Sequence, residues 1–140
     1  MPDAPAHRDL RRIWLFSGCS QAELRKIAKV LEEVSVPSGT LLVEQGEAGL
    51  LFFVVLSGSA SVIRDGRAVA ALGPGDFFGE LALLDNRPRY ASVTSDTHME
   101  LLVLRRRHFQ RVLQDSPTMT RKLLRAMAAR LRTTDDLAYH

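Results

Sequence analysis

GPGDFFGELALLDNRPRYAS, residues 73 to 92, is the stretch from which the rest of the chain is read. It opens on turn residues, Gly73-Pro74-Gly75-Asp76, followed by Phe77, Phe78, Gly79 and Glu80. The apolar run Leu81-Ala82-Leu83-Leu84 fits one or two helical turns. The polar turn Asp85-Asn86-Arg87-Pro88 then returns the chain to Arg89. This order describes an anion site. Gly79 lets backbone approach a ligand closely. The first N–H groups of a new helix lack intrahelical partners and carry the positive end of the dipole. An anion placed there is bound by main chain, and Arg89 can add a planar, two-pronged fork. Glu80 does not suit a bare anion. It makes sense as an acceptor for a neutral hydroxyl, with Arg89 between the charges. The plainer reading of Glu80, a first-turn carboxylate favoured by the dipole, stands beside it.

Composition frames that site. A chain of 140 residues is one domain by length, long enough for a real core. At 46% hydrophobic and 25% charged it falls in the soluble globular class. No apolar run approaches the roughly 20 residues of a membrane span, so no membrane partner is expected. The start, Met1-Pro2-Asp3-Ala4-Pro5, has no signal-peptide pattern. With Cys19 alone an internal disulfide is impossible, and a cytoplasmic setting is expected. Net charge is +3 and uneven. Arg105, Arg106, Arg107, Arg111, Arg121, Lys122, Arg125, Arg130 and Arg132 face one acid, Asp115, over residues 105–132. That run could attract an anionic partner; its plainer reading is a solvated helix face.

The flanking elements follow from periodicity. Residues 1–8 read as a tail, and Asp9 to Phe16 has helical character. Ser20-Gln21-Ala22-Glu23 is a capping box that starts a helix carrying Leu24, Ile27, Ala28 and Leu31. From Glu33 short strand-like runs are cut by turns: Val34–Val36, Thr40–Glu44, Leu51–Leu56, Ser59–Arg64, Arg67–Leu72, Ala91–Ser95 and Met99–Leu104. Asp65-Gly66 is a two-residue hairpin signal. About eight short strands at regular spacing predict an antiparallel jelly-roll or barrel-like fold. Arg107 to Leu113 reads as a short helix. Ser116-Pro117 then caps a long one, whose Leu124, Met127, Leu131, Thr134 and Ala138 share a stripe. That stripe either packs on the β-roll or pairs with a second copy. Cys19 reads as a small buried hydrophobe.

Chemistry of other kinds leaves no mark. There is no GxxxxGK[ST], no HExxH and no GxSxG. His7, His98, His108 and His140 are scattered. No catalytic or metal-ligating set is expected, and no enzyme.

FGELALL, a short turn, then PR-x-A-S resembles the phosphate-binding cassette of cyclic nucleotide-binding domains. These are sensor modules of bacterial catabolite-activator-type regulators, cAMP-dependent kinase regulatory subunits and nucleotide-gated channels. Leu15-Phe16 matches the family's apolar pair before the first helix. The resemblance implies a mainly β fold with flanking helices: an antiparallel β-roll (jelly-roll-like), N-terminal helices over residues 1–32, the roll over 33–104 with its cassette at 78–92, and C-terminal helices over 105–140. It implies that Leu81 and Ala82 offer N–H groups to a cyclic phosphate, that Arg89 binds its exocyclic oxygens and that Glu80 holds the ribose 2′-OH. Phe78, Gly79, Tyr90 and Ala91 complete the cassette's candidate ligand residues. Val62 and Val69 are candidates for an apolar wall against the purine, Arg130 for a contact near base or ribose, and Thr134 for one to the adenine edge. Ser92 could offer a hydroxyl. Leu50 stands where many members have an aspartate, a departure that bears on loop detail.

The leading expectation is a non-enzymatic receptor for cAMP, with cGMP the second ligand and no cofactor. Some cGMP-selective members carry Thr after the cassette arginine, where this chain has Tyr90. A homodimer through the C-terminal helix and a downstream protein partner of unknown identity are implied. The alternatives are a degenerate, non-binding dimerisation scaffold and, third, a basic nucleic-acid binder. Family transcription factors continue past the long helix into a helix-turn-helix; this chain stops at His140, so a free-standing sensor and a regulatory fragment both fit.

Overall fold

Two strands rich in apolar residues on both faces sit at the centre: β3 (Leu51–Ser57, LFFVVLS) and β8 (Met99–Arg105, MELLVLR). A strand with one wet face alternates; a strand covered on both faces does not. The computed structural model, which describes residues 10–139 and the side chains up to residue 132, places these two side by side. Their alternate residues feed two cores. Phe52, Val54, Leu102 and Leu104 face the helices, whereas Phe53, Val55, Leu101 and Val103 face the second sheet.

The sheets are four-stranded. One runs β1-β8-β3-β6, with β1 at Glu32–Val36 and β6 at Phe77–Phe78. The other runs β2-β7-β4-β5, with β2 at Leu41–Val43, β7 at Ser92–Ser95, β4 at Ala60–Arg64 and β5 at Arg67–Leu72. All pairs are antiparallel. The expected mainly β roll with flanking helices is the observed fold. The Asp65-Gly66 signal makes its turn, with φ of 53° and 79°. One strand escaped the sequence reading: β6 is two residues long, Phe77 entering the helical core and Phe78 the inter-sheet core. Two residues are too few for a period.

Helices close one side. α1 (Gln21–Val30) starts on the predicted capping box, Glu23 N–H donating to Ser20 Oγ at 3.1 Å and Ser20 N–H to Glu23 Oε1 at 2.7 Å. Before it, the expected helical stretch is two 3₁₀ turns, Leu10–Arg12 and Trp14–Phe16. Trp14 is half exposed, with the Lys122 ammonium 5.1 Å from its ring centre. α3 (Arg106–Asp115) runs longer than the sequence period implied. Phe109 is fully buried and packs 4.7 Å from Phe52, ring centre to centre. Ser116 then gives α4 (Pro117–Tyr139) its start. Cys19 is buried with Sγ 3.5 Å from Ser116 Oγ, and burial raises its thiol pKa, as suits a core residue. The 1–8 tail lies outside the described residues.

The basic run resolves into local contacts. Arg105 pairs with Glu32 at 3.3 Å, and Lys122 Nζ donates to the Trp14 carbonyl at 2.8 Å. Arg106 donates to Asn86 Oδ1 and Arg130 to Glu80. Four cations of the run thus have local partners, while Arg105 and Arg130 stay exposed to solvent. On α4, Leu124 and Leu131 are exposed while Met127 packs on the helical core, so the apolar stripe divides. Among the described residues no helix is long and apolar enough to cross a membrane.

Candidate functional site

The quoted stretch folds as read, around one backbone contortion. Gly79 has φ +94° and caps α2 (Glu80–Asp85); Asn86 ends that helix with φ 57°. Left-handed backbone is cheap for glycine and tolerated by asparagine. A Cβ on Gly79 would lie 2.8 Å from both Leu51 O and Arg89 Nη1. The glycine thus serves two needs, the turn and the room for a guanidinium.

That guanidinium is buried, Arg89 being 7% exposed. Nη1 donates to Gly79 O at 2.9 Å and Nη2 to Leu51 O at 2.7 Å. Its main chain is clamped as well: Arg89 N–H donates to Glu47 O at 2.7 Å, and Gly46 N–H to Arg89 O at 2.9 Å. Gly49 lies against it, where a Cβ would collide with Ala82 Cβ and come 3.2 Å from Arg89 Cζ. Among the described residues no carboxylate hydrogen-bonds to Arg89. Burial lowers its pKa and the nearby Glu80 charge raises it, but a guanidinium stays charged. A buried, charged fork whose hydrogen bonds go to neutral carbonyls keeps its charge uncompensated by them.

Glu80 is 3% exposed and is reached from α4. Arg130 Nη1 donates to Glu80 Oε1, its Nη2 donates to Phe77 O at 2.7 Å, and its Cζ lies 4.5 Å from the Phe77 ring centre. Desolvation raises the Glu80 pKa; the Arg130 charge and the N–H groups of Glu80 and Leu81 oppose the rise without cancelling it. A carboxyl with a raised folded pKa stabilises the fold fully below its unfolded pKa, and that contribution is lost as pH rises through the folded pKa. The Tm of Glu80→Gln relative to wild type is therefore expected to climb as pH rises above about 4. A relative Tm that fell over that range would contradict the raised pKa.

The other candidates divide. Ala82 and Ala91 are buried, and Leu81 is half exposed. Phe78 is committed to the core, its ring stacked on Phe53 at 4.6 Å, which leaves only its main chain to the site. Tyr90 is half exposed with the Arg64 guanidinium 3.9 Å from its ring centre. Ser92 Oγ accepts from Gln45 N–H at 2.9 Å. Val62 packs on the inter-sheet core, while Val69 is exposed at a bulge of β5, next to Ala70, the residue paired with Val62. Thr134 lies outside the described side chains.

Sequence reasoning missed three supports. Gly49 makes room for Arg89, and the Gly46-to-Gly49 pair was its signal. Arg106 reaches Ala82 O at 3.5 Å and Asn86 Oδ1, tying α2 to α3; nothing local announces it. Arg64 had no signal beyond its strand. An apolar groove of about 160 Å³ between α1 and α3, lined by Ile27, Val30 and Val112 among others, holds none of the candidate residues.

Comparison with known proteins follows the same lines. Residues 33–116 match the family model described as cyclic nucleotide-binding domain. Over 106 residues, 74% of this chain and 28% of the relative, it is 40% identical to a cAMP-dependent protein kinase regulatory subunit of Yarrowia lipolytica. Over 132 residues, 91% of this chain and 59% of the relative, it is 32% identical to a CRP-like cAMP-activated global transcriptional regulator of Mycobacterium tuberculosis. The regulatory subunit of a cAMP-independent protein kinase A from Trypanosoma brucei superposes with a TM-score of 0.77 at 30% identity, covering 84% of this chain and 42% of that one. The chain thus spans only part of the length of the relatives it matches.

Proposed function

This chain belongs to the cyclic nucleotide-binding domain family, and from that premise we propose that it is a non-enzymatic receptor for a 3′,5′-cyclic nucleotide, with cAMP preferred over cGMP. The observation that carries the reading is Arg89: a buried cation without a carboxylate partner among the described residues, on a glycine-capped turn beside a buried Glu80.

In this reading the phosphate meets Arg89 and the N–H groups of Leu81 and Ala82, and the ribose 2′-OH donates to Glu80. Gly79 and the main chain of Phe78 shape the approach, Tyr90 and Ala91 flank it, and Val62 and Val69 line the base side. Because Arg130 already holds Glu80, the sugar hydroxyl and α4 act on one carboxylate. Ligand binding then shifts the populations of α4 positions, which is the signal. Arg130 and Thr134 lie on that helix. The preference for cAMP is supported by the two curated relatives, whose names contain it.

The same reading extends to partners and setting. Exposed Leu124 and Leu131, seven residues apart on α4, support a homodimer through that helix. A protein partner downstream receives the helix movement, in a cytoplasmic setting consistent with the lone buried Cys19. Nucleic acid is not assigned: Arg105, Lys122 and Arg130 of the basic run already have local partners.

One observation favours a second reading, a scaffold that binds no nucleotide: a similar fold belongs to a kinase subunit called cAMP-independent. Thermal shift separates the two. A receptor with micromolar affinity gains about 4 kcal/mol at millimolar cAMP, and its Tm rises. No rise at that concentration would leave the scaffold.

A further inference from the structure

Against Tyr90, the residue that follows Arg89, stands a second arginine that the sequence reading did not single out. Arg64 ends β4, and strand alternation puts it on the face of Val62, which pairs with Val93. Continuing the register from Ile63 opposite Ser92 carries Arg64 to the level of Tyr90 and Ala91, next along the chain from Arg89. There its Cζ lies 3.9 Å from the centre of the Tyr90 ring.

The pair is braced. Gln45 Nε2 donates to Asp65 Oδ1 at 2.8 Å and Asp65 N–H donates to Gln45 Oε1 at 2.9 Å, while Gln45 N–H donates to Ser92 Oγ at 2.9 Å. One glutamine therefore fixes the hairpin turn beside Arg64 to the strand that follows Arg89. Arg64 Nε is 3.7 Å from Asp65 Oδ2, too long for a hydrogen bond. Stacking uses the guanidinium's face, whereas its N–H donors lie in its plane. The Arg64 side chain is 42% exposed, so its N–H donors are open to a ligand as well as to solvent. Arg89, meanwhile, gives an N–H from each terminal nitrogen to main-chain carbonyls.

We propose that Arg64, held on the Tyr90 ring, is a second phosphate-contacting guanidinium of the nucleotide site. The inference rests on the cyclic nucleotide reading above. It gives Tyr90 a positioning role, and it makes the phosphate rather than the base the group that Arg64 senses.

Calorimetric titration of the full chain with cAMP and cGMP tests it, on wild type, Arg64→Ala, Tyr90→Phe, Tyr90→Ala and the Arg64→Ala/Tyr90→Ala double variant. One charge-assisted contact corresponds to an affinity loss of about tenfold for Arg64→Ala, equal for both nucleotides. Tyr90→Phe keeps the ring and stays near wild type. Tyr90→Ala weakens binding about threefold, and the double variant binds no worse than Arg64→Ala. Because the contact is partly exposed, wild-type affinity falls more steeply than that of Arg64→Ala between about 50 and 500 mM salt. Wild-type binding with Arg64→Ala unchanged would overturn the inference and leave the receptor reading standing. A changed cAMP-to-cGMP ratio would move Arg64 to the base and overturn the phosphate assignment. Failure of wild type to bind either nucleotide would overturn both.

Discussion

Arg89→Ala is expected to weaken cAMP binding by about a hundredfold or more, because a two-pronged charged contact is worth about 3 kcal/mol and each 1.4 kcal/mol is tenfold. The same change frees Gly79 O and Leu51 O, two acceptors at a part-buried position. Stranding them costs about 1–3 kcal/mol of folding stability each if water does not replace the donor. Affinity and unliganded Tm must therefore be read together. Arg89→Lys separates them: it keeps the charge but has no fork, so it should also lose most of the affinity. Wild-type affinity in both variants would remove Arg89 from the site.

Gly79→Ala is expected to lower the Tm by roughly 10 °C and to remove nucleotide binding with it. Two costs add. A φ of +94° strains any L residue, and the new methyl would lie 2.8 Å from a backbone oxygen and from the Arg89 guanidinium. The backbone oxygen belongs to a central strand and cannot yield cheaply. Gly75→Ala is the control: its φ is +89° and nothing lies within 4 Å of the added Cβ. It should show the strain alone, about 1 kcal/mol, with binding intact. Equal effects at the two glycines would mean that crowding around Arg89 is unimportant.

What could be read in advance was whatever is written locally. A capping box, a hairpin dipeptide and a glycine before a short apolar run each specify geometry within a few residues, and all three fold as written. The anion reading also leaned on a helix dipole, and there the structure tempers it. α2 has six residues, so what it offers is a few N–H groups rather than a macrodipole. Glu80 already draws on two of them.

Contacts across long separations are not written in the local sequence, though the family resemblance already places Arg130 near base or ribose. Arg130 finds Glu80 fifty residues back, and Arg106 finds Asn86 twenty residues back, because α3 and α4 pack where the roll leaves room. Phe78 could be read as a site residue for its place in the stretch. Only the two-sided burial of β6 shows that its ring belongs to the core. The bulge that leaves Val69 without a partner on β4 had no signal in the sequence either.

The most direct measurement is a crystal structure of the chain with cAMP. The expected result has the cyclic phosphate within hydrogen-bond distance of Arg89 and of the Leu81 and Ala82 N–H groups, and the ribose 2′-OH on Glu80. A nucleotide seated elsewhere, for instance in the groove between α1 and α3, with Arg89 still bonded only to Gly79 O and Leu51 O, would contradict it.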